Sequence, residues 1–198
     1  MQLHFGFDLD NTLINYNSSA LAYSRHNGIP DQNSINSLRG YLLSQGSEKY
    51  WTQAQSWIYT SGLATAEISH GAVEVIRKLV NTGFKISIIS HKTEFGPIQY
   101  GKVPLRATAI EWLENSELIE FFPNLNNIYF TDSLEDKIGI IRECKLSHYV
   151  DDLIKIFLMD DYPKFSLKSF LFKPSFPLPD WLIPLESFDS LIEKIKWL

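Results

Sequence analysis

The stretch FDLDNTLINY, residues 7–16, holds two aspartates, Asp8 and Asp10, one residue apart. The run before them, LHFGF at 3–7, is short and aromatic, which favours a buried strand over a helix. Asp8 is therefore predicted at the carboxyl end of a strand, and Asp10 on the loop that follows. Two carboxylates placed in this way can approach one reaction centre.

The rest of the chain alternates β-rich and helical patterns. Further strands are predicted at 84–89, 127–131, 147–150 and 168–172, and helices at 71–81, 105–115, 137–144 and 188–198. This alternation predicts an α/β fold, a three-layer, Rossmann-like parallel sheet with helices on both faces. Ligands of such sheets bind at the carboxyl ends of the strands, where Asp8, Ser90 and Asp151 are expected.

One segment, residues 15–68, interrupts the alternation because it contains no convincing strand. Helical spacing at 36–44 and 48–59 predicts a small helical cap inserted into a core formed by 1–14 and 69–198. The Gly- and Pro-rich stretch 93–104 is predicted to be a loop.

Bulk composition excludes several classes of function. The 198 residues carry a net charge of −5, which offers no general attraction to a nucleic acid polymer or an anionic membrane. No run approaches the roughly 18 apolar residues of a membrane span, and the N-terminus lacks the basic region of a signal peptide. A single cysteine, Cys144, allows no intrachain disulfide. We therefore expect a cytoplasmic location.

The acidic residues suit phosphoryl chemistry. An aspartate can attack phosphorus as a nucleophile, and a second carboxylate can protonate the leaving group and then activate water. Each pair of like charges costs about 4 kcal/mol at ~4 Å and an effective dielectric constant of ~20. With Asp151 and Asp152 added, the cluster needs a hard divalent cation, and oxygen ligands with retained waters suit Mg²⁺.

The set FDLDNT, the strand ending in Ser90, Lys137 at a helix start and YVDD resembles the four motifs of the haloacid dehalogenase (HAD) superfamily, in order, over residues 7–152. The resemblance implies a role for each position. Asp8 would be the nucleophile and a metal ligand, and Asp10 would be the general acid and base and a metal ligand through its carbonyl. Thr12 would brace the loop on the substrate side, Ser90 and Lys137 would contact the phosphoryl group, and Asp151 and Asp152 would be further metal ligands.

The resemblance also indicates a subclass. Dehalogenases of this superfamily lack an acid at the position of Asp10, and its transport ATPases carry threonine there. Asp10 therefore favours a Mg²⁺-dependent phosphatase that acts on a small phosphorylated metabolite, a sugar phosphate or a nucleotide monophosphate. The insertion resembles a C1-type helical cap.

Several alternatives stay open at this level. A phosphotransferase or mutase, or a non-catalytic binding or regulatory protein that retains the fold, fits the same motifs. His91 and Lys92 are predicted as substrate-binding residues, although a solvated turn is an equal interpretation. Lys145 and Lys155 compete with Lys137, and the second acidic pair, Asp160 and Asp161, competes with Asp151 and Asp152.

Overall fold

The computed structural model describes residues 3–97 and 102–196. Its main sheet has six strands in the order β5-β4-β1-β6-β7-β8, and every neighbouring pair in this sheet is parallel. A second sheet pairs β2 with β3. The strands are β1 His4–Phe7, β2 Ile14–Asn15, β3 Glu67–Ile68, β4 Lys85–His91, β5 Ile128–Thr131, β6 His148–Asp151, β7 Lys168–Phe172 and β8 Leu182–Leu185.

Eight α-helices accompany these strands within the described ranges. They are α1 Asn17–His26, α2 Ile35–Ser44, α3 Glu48–Ile58, α4 Ala72–Asn81, α5 Leu105–Glu114, α6 Leu134–Glu143, α7 Ile154–Phe157 and α8 Phe188–Lys196. None of the helices in residues 3–97 and 102–196 has the length and apolar character needed to cross a bilayer. The predicted α/β three-layer sheet is confirmed.

The two faces of the sheet bury different side chains. Phe5 and Phe7 of β1 are fully buried, and Phe188 of α8 packs against Phe7 and Phe172 with centroid distances of 6.1 and 5.0 Å. On the other face, Ile138 and Ile141 of α6 belong to a cluster with Ile89, Tyr149 and Leu171 from the strands. Since β1 is covered on both faces, its continuous apolar run is explained.

The register of the central strands brings their carboxyl ends to one level. Phe7 of β1 lies opposite Ile88 of β4 and Val150 of β6. The next residue, Asp8, donates its backbone N–H to the Val150 carbonyl over 2.8 Å. The strand pairing therefore continues through Asp8 and places it level with Asp151, at the edge of the sheet where the chemistry was predicted.

The chain divides into two compact units. The first contains residues 1–13, 68–92 and 117–198, and the second contains 14–67 and 93–116. The predicted core included 93–116, but in the structure this segment belongs with the inserted helices. One contact that ties it there is the Thr108 hydroxyl, which donates to the Tyr59 carbonyl over 3.1 Å. The roles of the parts as catalytic core and cap remain a prediction.

Other boundaries also differ from the sequence prediction. Helix α6 begins at Leu134, so Lys137 lies in its first turn and does not open the helix. Ser90 lies within β4 and not after it. Helix α1 and strands β2, β3 and β8 were not predicted, although β2 and β3 have only two residues each. Within the predicted loop 93–104, Phe95 and Pro104 form an antiparallel bridge, and residues 98–101 lie outside the described part of the chain, as do the last two residues of the predicted helix 188–198.

Candidate active site

The loop after β1 carries the first two acids of the site. Asp8 is buried, and Asn11 adopts a left-handed conformation with φ of 57°, which asparagine tolerates better than most residues. This turn directly follows Asp10. Thr12 is fully buried, yet its hydroxyl has no hydrogen-bond partner among the described residues, and neither has the Asn11 side-chain oxygen. Within the described part of the chain, the Thr12 hydroxyl therefore makes no hydrogen bond that would brace the loop.

Lys137 links two of the predicted acids. Its Nζ lies 2.5 Å from Oδ1 of Asp8 and 2.8 Å from Oδ2 of Asp151, and its side chain is only 2% exposed. Lys137 lies in the first turn of helix α6. Ser133 caps this helix, and its hydroxyl accepts a hydrogen bond from the Asp136 N–H over 3.0 Å. The competitors Lys145 and Lys155 are both exposed. The structure therefore brings Lys137 to the acids, as the motif order predicted.

Asp151 is fixed by a partner that the sequence prediction missed. The Tyr149 hydroxyl donates to its Oδ2 over 2.8 Å, and the Leu153 N–H donates to its Oδ1 over 2.8 Å. Both carboxylate oxygens are thus hydrogen-bonded, and the side chain is held at the end of β6. A tyrosine two residues before a strand-end aspartate lies on the same face of the strand, and this spacing is the sequence pattern that could have revealed the contact.

Three carboxylates converge at this point. Ligand atoms from Asp8, Asp151 and Asp152 all lie within 4.8 Å of one another. Hard divalent cations prefer such an all-oxygen set. The residues present therefore fit a divalent metal ion.

Burial makes the charged forms of these acids expensive. It raises the pKa of Asp8 to about 7, a shift that Lys137 opposes and that Asp151 and Asp10 add to. Burial and the neighbouring Asp151 and Asp8 also hold the pKa of Asp152 well above its usual range. For Lys137, burial lowers the pKa, but Asp151 and Asp8 outweigh it and the net pKa is raised, so this lysine stays charged. A cation among the carboxylates relieves the same repulsion.

The end of β4 contributes the remaining predicted residues. Ser90 is buried. Lys92 directs its Nζ to Oδ2 of Asp10 over 2.8 Å and is almost completely buried, so the solvated-turn interpretation is wrong for this residue. His91 is exposed, with Nε2 3.2 Å from the Asp132 carbonyl oxygen. The substrate-binding roles of His91 and Lys92 stay predictions.

The competing acidic pair lies elsewhere. Asp160 and Asp161 follow α7 and are exposed, and the Asp161 side chain lies 3.7 Å from Nη2 of Arg142 on the surface. Neither residue belongs to the three-carboxylate cluster found among the described residues. The pair at 151 and 152 is therefore the one at the site.

Comparison with known proteins identifies the fold of the chain. No protein-family model and no curated protein matches the sequence. Solved structures do match over nearly the whole chain. They include a HAD family hydrolase from Deinococcus radiodurans R1 with bound phosphate and sodium, at 14% identity and a TM-score of 0.60, covering 99% of this chain and 96% of the other.

Two further structures match to a similar extent. A predicted phosphoglycolate phosphatase from Haemophilus somnus 129PT shares 13% identity at a TM-score of 0.55, with 98% of each chain covered. The protein tyrosine kinase PtkA of Mycobacterium tuberculosis shares 15% identity at a TM-score of 0.63, again with 98% of each chain covered. Other matches are HAD-superfamily hydrolases. The predicted resemblance is thus confirmed in three dimensions: the chain has the fold of the HAD-superfamily hydrolases.

Proposed function

We propose that the protein is a Mg²⁺-dependent phosphatase that hydrolyses a small phosphorylated metabolite through an aspartyl-phosphate on Asp8. The observation that carries this proposal is the arrangement around Lys137, whose ammonium group lies between the carboxylates of Asp8 and Asp151 next to Asp152. A buried aspartate held by a lysine at a strand end is positioned for nucleophilic attack. The shared fold of HAD hydrolases supports the same assignment.

In the first step, an oxygen of the Asp8 carboxylate attacks phosphorus. The bond from phosphorus to the leaving oxygen breaks, and Asp10 donates a proton to that oxygen. In the second step, Asp10 takes a proton from water, the water oxygen attacks phosphorus, and the bond between phosphorus and Asp8 breaks. Inorganic phosphate leaves, and both aspartates return to their starting forms.

Other residues of the chain stabilise charge during these steps. Lys137 neutralises the phosphoryl oxygens and keeps Asp8 oriented, and the Ser90 hydroxyl donates to the phosphoryl group. Mg²⁺ held by Asp8, the Asp10 carbonyl, Asp151 and Asp152 would shield the phosphate from the anionic nucleophile. Tyr149 and the Leu153 N–H keep Asp151 fixed for that purpose.

Two classes of substrate fit the proposed chemistry. Sugar phosphates and nucleotide monophosphates both remain candidates. Phosphoryl transfer to a second substrate is the alternative with specific support, because PtkA has a similar fold and is named as a tyrosine kinase. Product analysis separates the two: a hydrolase releases inorganic phosphate even when candidate acceptors are present, whereas a transferase forms a phosphorylated acceptor. A non-catalytic protein would do neither.

The first test measures inorganic phosphate released from p-nitrophenyl phosphate. Wild type with Mg²⁺ is expected to be active, and wild type with EDTA and Asp8→Asn with Mg²⁺ are expected to be inactive. Asp160→Asn is the matched control, since it neutralises an exposed acid outside the cluster. Undiminished activity in Asp8→Asn, or inactivity of wild type across a panel of phosphorylated metabolites, would contradict the proposal.

A further inference from the structure

The second buried lysine, Lys92, contacts an acid other than the proposed nucleophile. Its Nζ lies 2.8 Å from Oδ2 of Asp10, and the lysine side chain is 3% exposed while that of Asp10 is 16% exposed. Lysine is almost never so buried without a partner of opposite charge. The burial of Lys92 is therefore explained by the carboxylate it meets.

The two ends of this ion pair lie on different segments of the chain. Lys92 follows β4, and its backbone N–H donates to the Thr131 carbonyl over 3.0 Å, which anchors it to the neighbouring strand β5. Asp10 lies on the loop that turns at Asn11. The pair thus connects the loop that carries the acid to the ordered end of a sheet strand.

The two lysines divide the acids between them. Lys137 holds Asp8 and Asp151, the proposed nucleophile and a proposed metal ligand, while Lys92 holds Asp10, the proposed general acid. In its ionised form, in which it accepts a proton from water in the proposed second step, Asp10 would otherwise be repelled by the neighbouring carboxylates. A separate cation for Asp10 keeps its carboxyl group near the reaction centre.

We propose that Lys92 is a positioning residue that holds the Asp10 carboxyl group in the orientation needed for proton transfer to the leaving oxygen. This inference rests on the proposed phosphatase function and gives Lys92 a role other than substrate binding. Proton transfer requires close and directed contact between donor and acceptor, so a loss of orientation lowers the rate even when Asp10 itself is intact.

The consequence is a dependence on the leaving group. An alkyl phosphate releases a strongly basic alkoxide that needs a proton in the transition state, whereas p-nitrophenyl phosphate releases a stable phenolate that does not. Lys92→Met is therefore expected to lower kcat/KM, which reports the steps up to release of the leaving group, about 10- to 100-fold on an alkyl phosphate such as glycerol phosphate, a part of the roughly 10²–10⁴-fold contribution of general acid catalysis. On p-nitrophenyl phosphate the loss in kcat/KM is expected to stay below about 3-fold, because the first step with this leaving group needs no proton.

The test is a double-mutant cycle of Lys92→Met and Asp10→Asn, with kcat/KM measured on both phosphates. If Lys92 acts through Asp10, Lys92→Met has almost no further effect on the alkyl phosphate in the Asp10→Asn background. Lys92→Arg, which keeps the charge, is expected to recover part of the rate. Lys155→Met is the matched control, because Lys155 is exposed and outside the site.

Two results would overturn the inference. Equal losses on both substrates, or the same loss in the Asp10→Asn background, would show that Lys92 acts on the phosphate and not through Asp10. If Lys92→Met does not fold, Lys92→Arg decides, since altered geometry at constant charge must still slow the alkyl phosphate more than the aryl phosphate. Inactivity of wild type, or activity of Asp8→Asn, instead refutes the phosphatase function and this inference with it.

Discussion

Removing the Lys137 ammonium group tests how much its buried ion pairs stabilise the folded protein. Lys137→Met keeps most of the packing volume of the side chain but leaves the buried Asp8 without its ion pair at 2.5 Å. Breaking a buried pair by removing one partner typically costs about 3–5 kcal/mol. Asp151 keeps its bonds from Tyr149 and from the Leu153 N–H, so we expect a loss near the lower figure, about 3 kcal/mol.

The assay is the free energy of unfolding from chemical denaturation, in EDTA at neutral pH. The control Lys155→Met, an exposed lysine, is expected to change stability by no more than about 0.5 kcal/mol. In an Asp8→Asn background, Lys137→Met should cost less, because the carboxylate that it would leave unpaired is already neutral. A loss below about 0.5 kcal/mol for Lys137→Met alone would refute the reasoning, since it would mean that the ion pair does not form in solution.

Three further changes test other parts of the account. Tyr149→Phe removes one hydrogen bond to the buried Asp151 carboxylate, so it should lower the free energy of unfolding by about 1–3 kcal/mol. It should also weaken Mg²⁺ binding measured by calorimetry. Unchanged stability and unchanged Mg²⁺ affinity would show that this hydrogen bond does not form. Gly6→Ala places a Cβ 2.4 Å from a Leu146 methyl carbon, so a loss of about 1–3 kcal/mol in denaturation is expected, and a neutral result would show that the side chain moves aside. Burial and the charge of Lys168 lower the pKa of His148 to about 4, so only the unfolded chain takes up this proton between pH 6.5 and 4. The free energy of unfolding of wild type should therefore fall by about 3 kcal/mol over that pH range relative to that of His148→Phe. Parallel stability curves for the two proteins would refute this prediction.

Much of the fold was predictable because strand ends and polar residues coincide in the sequence. The short apolar runs that end at Asp8 and Asp151 are buried strands, as their composition indicated. Strand β8 was missed because it is short and contains Pro184, which suits only an edge strand. The true start of α6 had a local signature, since Ser133 and Asp136 form a capping pair three residues apart.

The contacts within the site were less predictable. Nothing near Lys92 in the sequence indicates that its ammonium group meets Asp10, because this contact depends on β4 lying beside β1. Similarly, the grouping of 93–116 with the inserted helices depends on long-range packing such as that of Thr108 against the Tyr59 carbonyl. Contacts between residues that are far apart in the chain leave no periodic pattern in the sequence, so they could not be predicted from it.

The central claim is that Asp8 carries the phosphoryl group during turnover, and direct trapping tests it. Asp10→Asn would be mixed with p-nitrophenyl phosphate and Mg²⁺ and quenched in acid within one turnover, since this variant lacks the base that activates water for the second step. After proteolysis, mass spectrometry should find one phosphoryl group on the peptide that contains Asp8, and none when Asp8→Asn is added. Turnover of wild type with no phosphoryl group on that peptide, or with one that persists in the Asp8→Asn variant, would contradict the account.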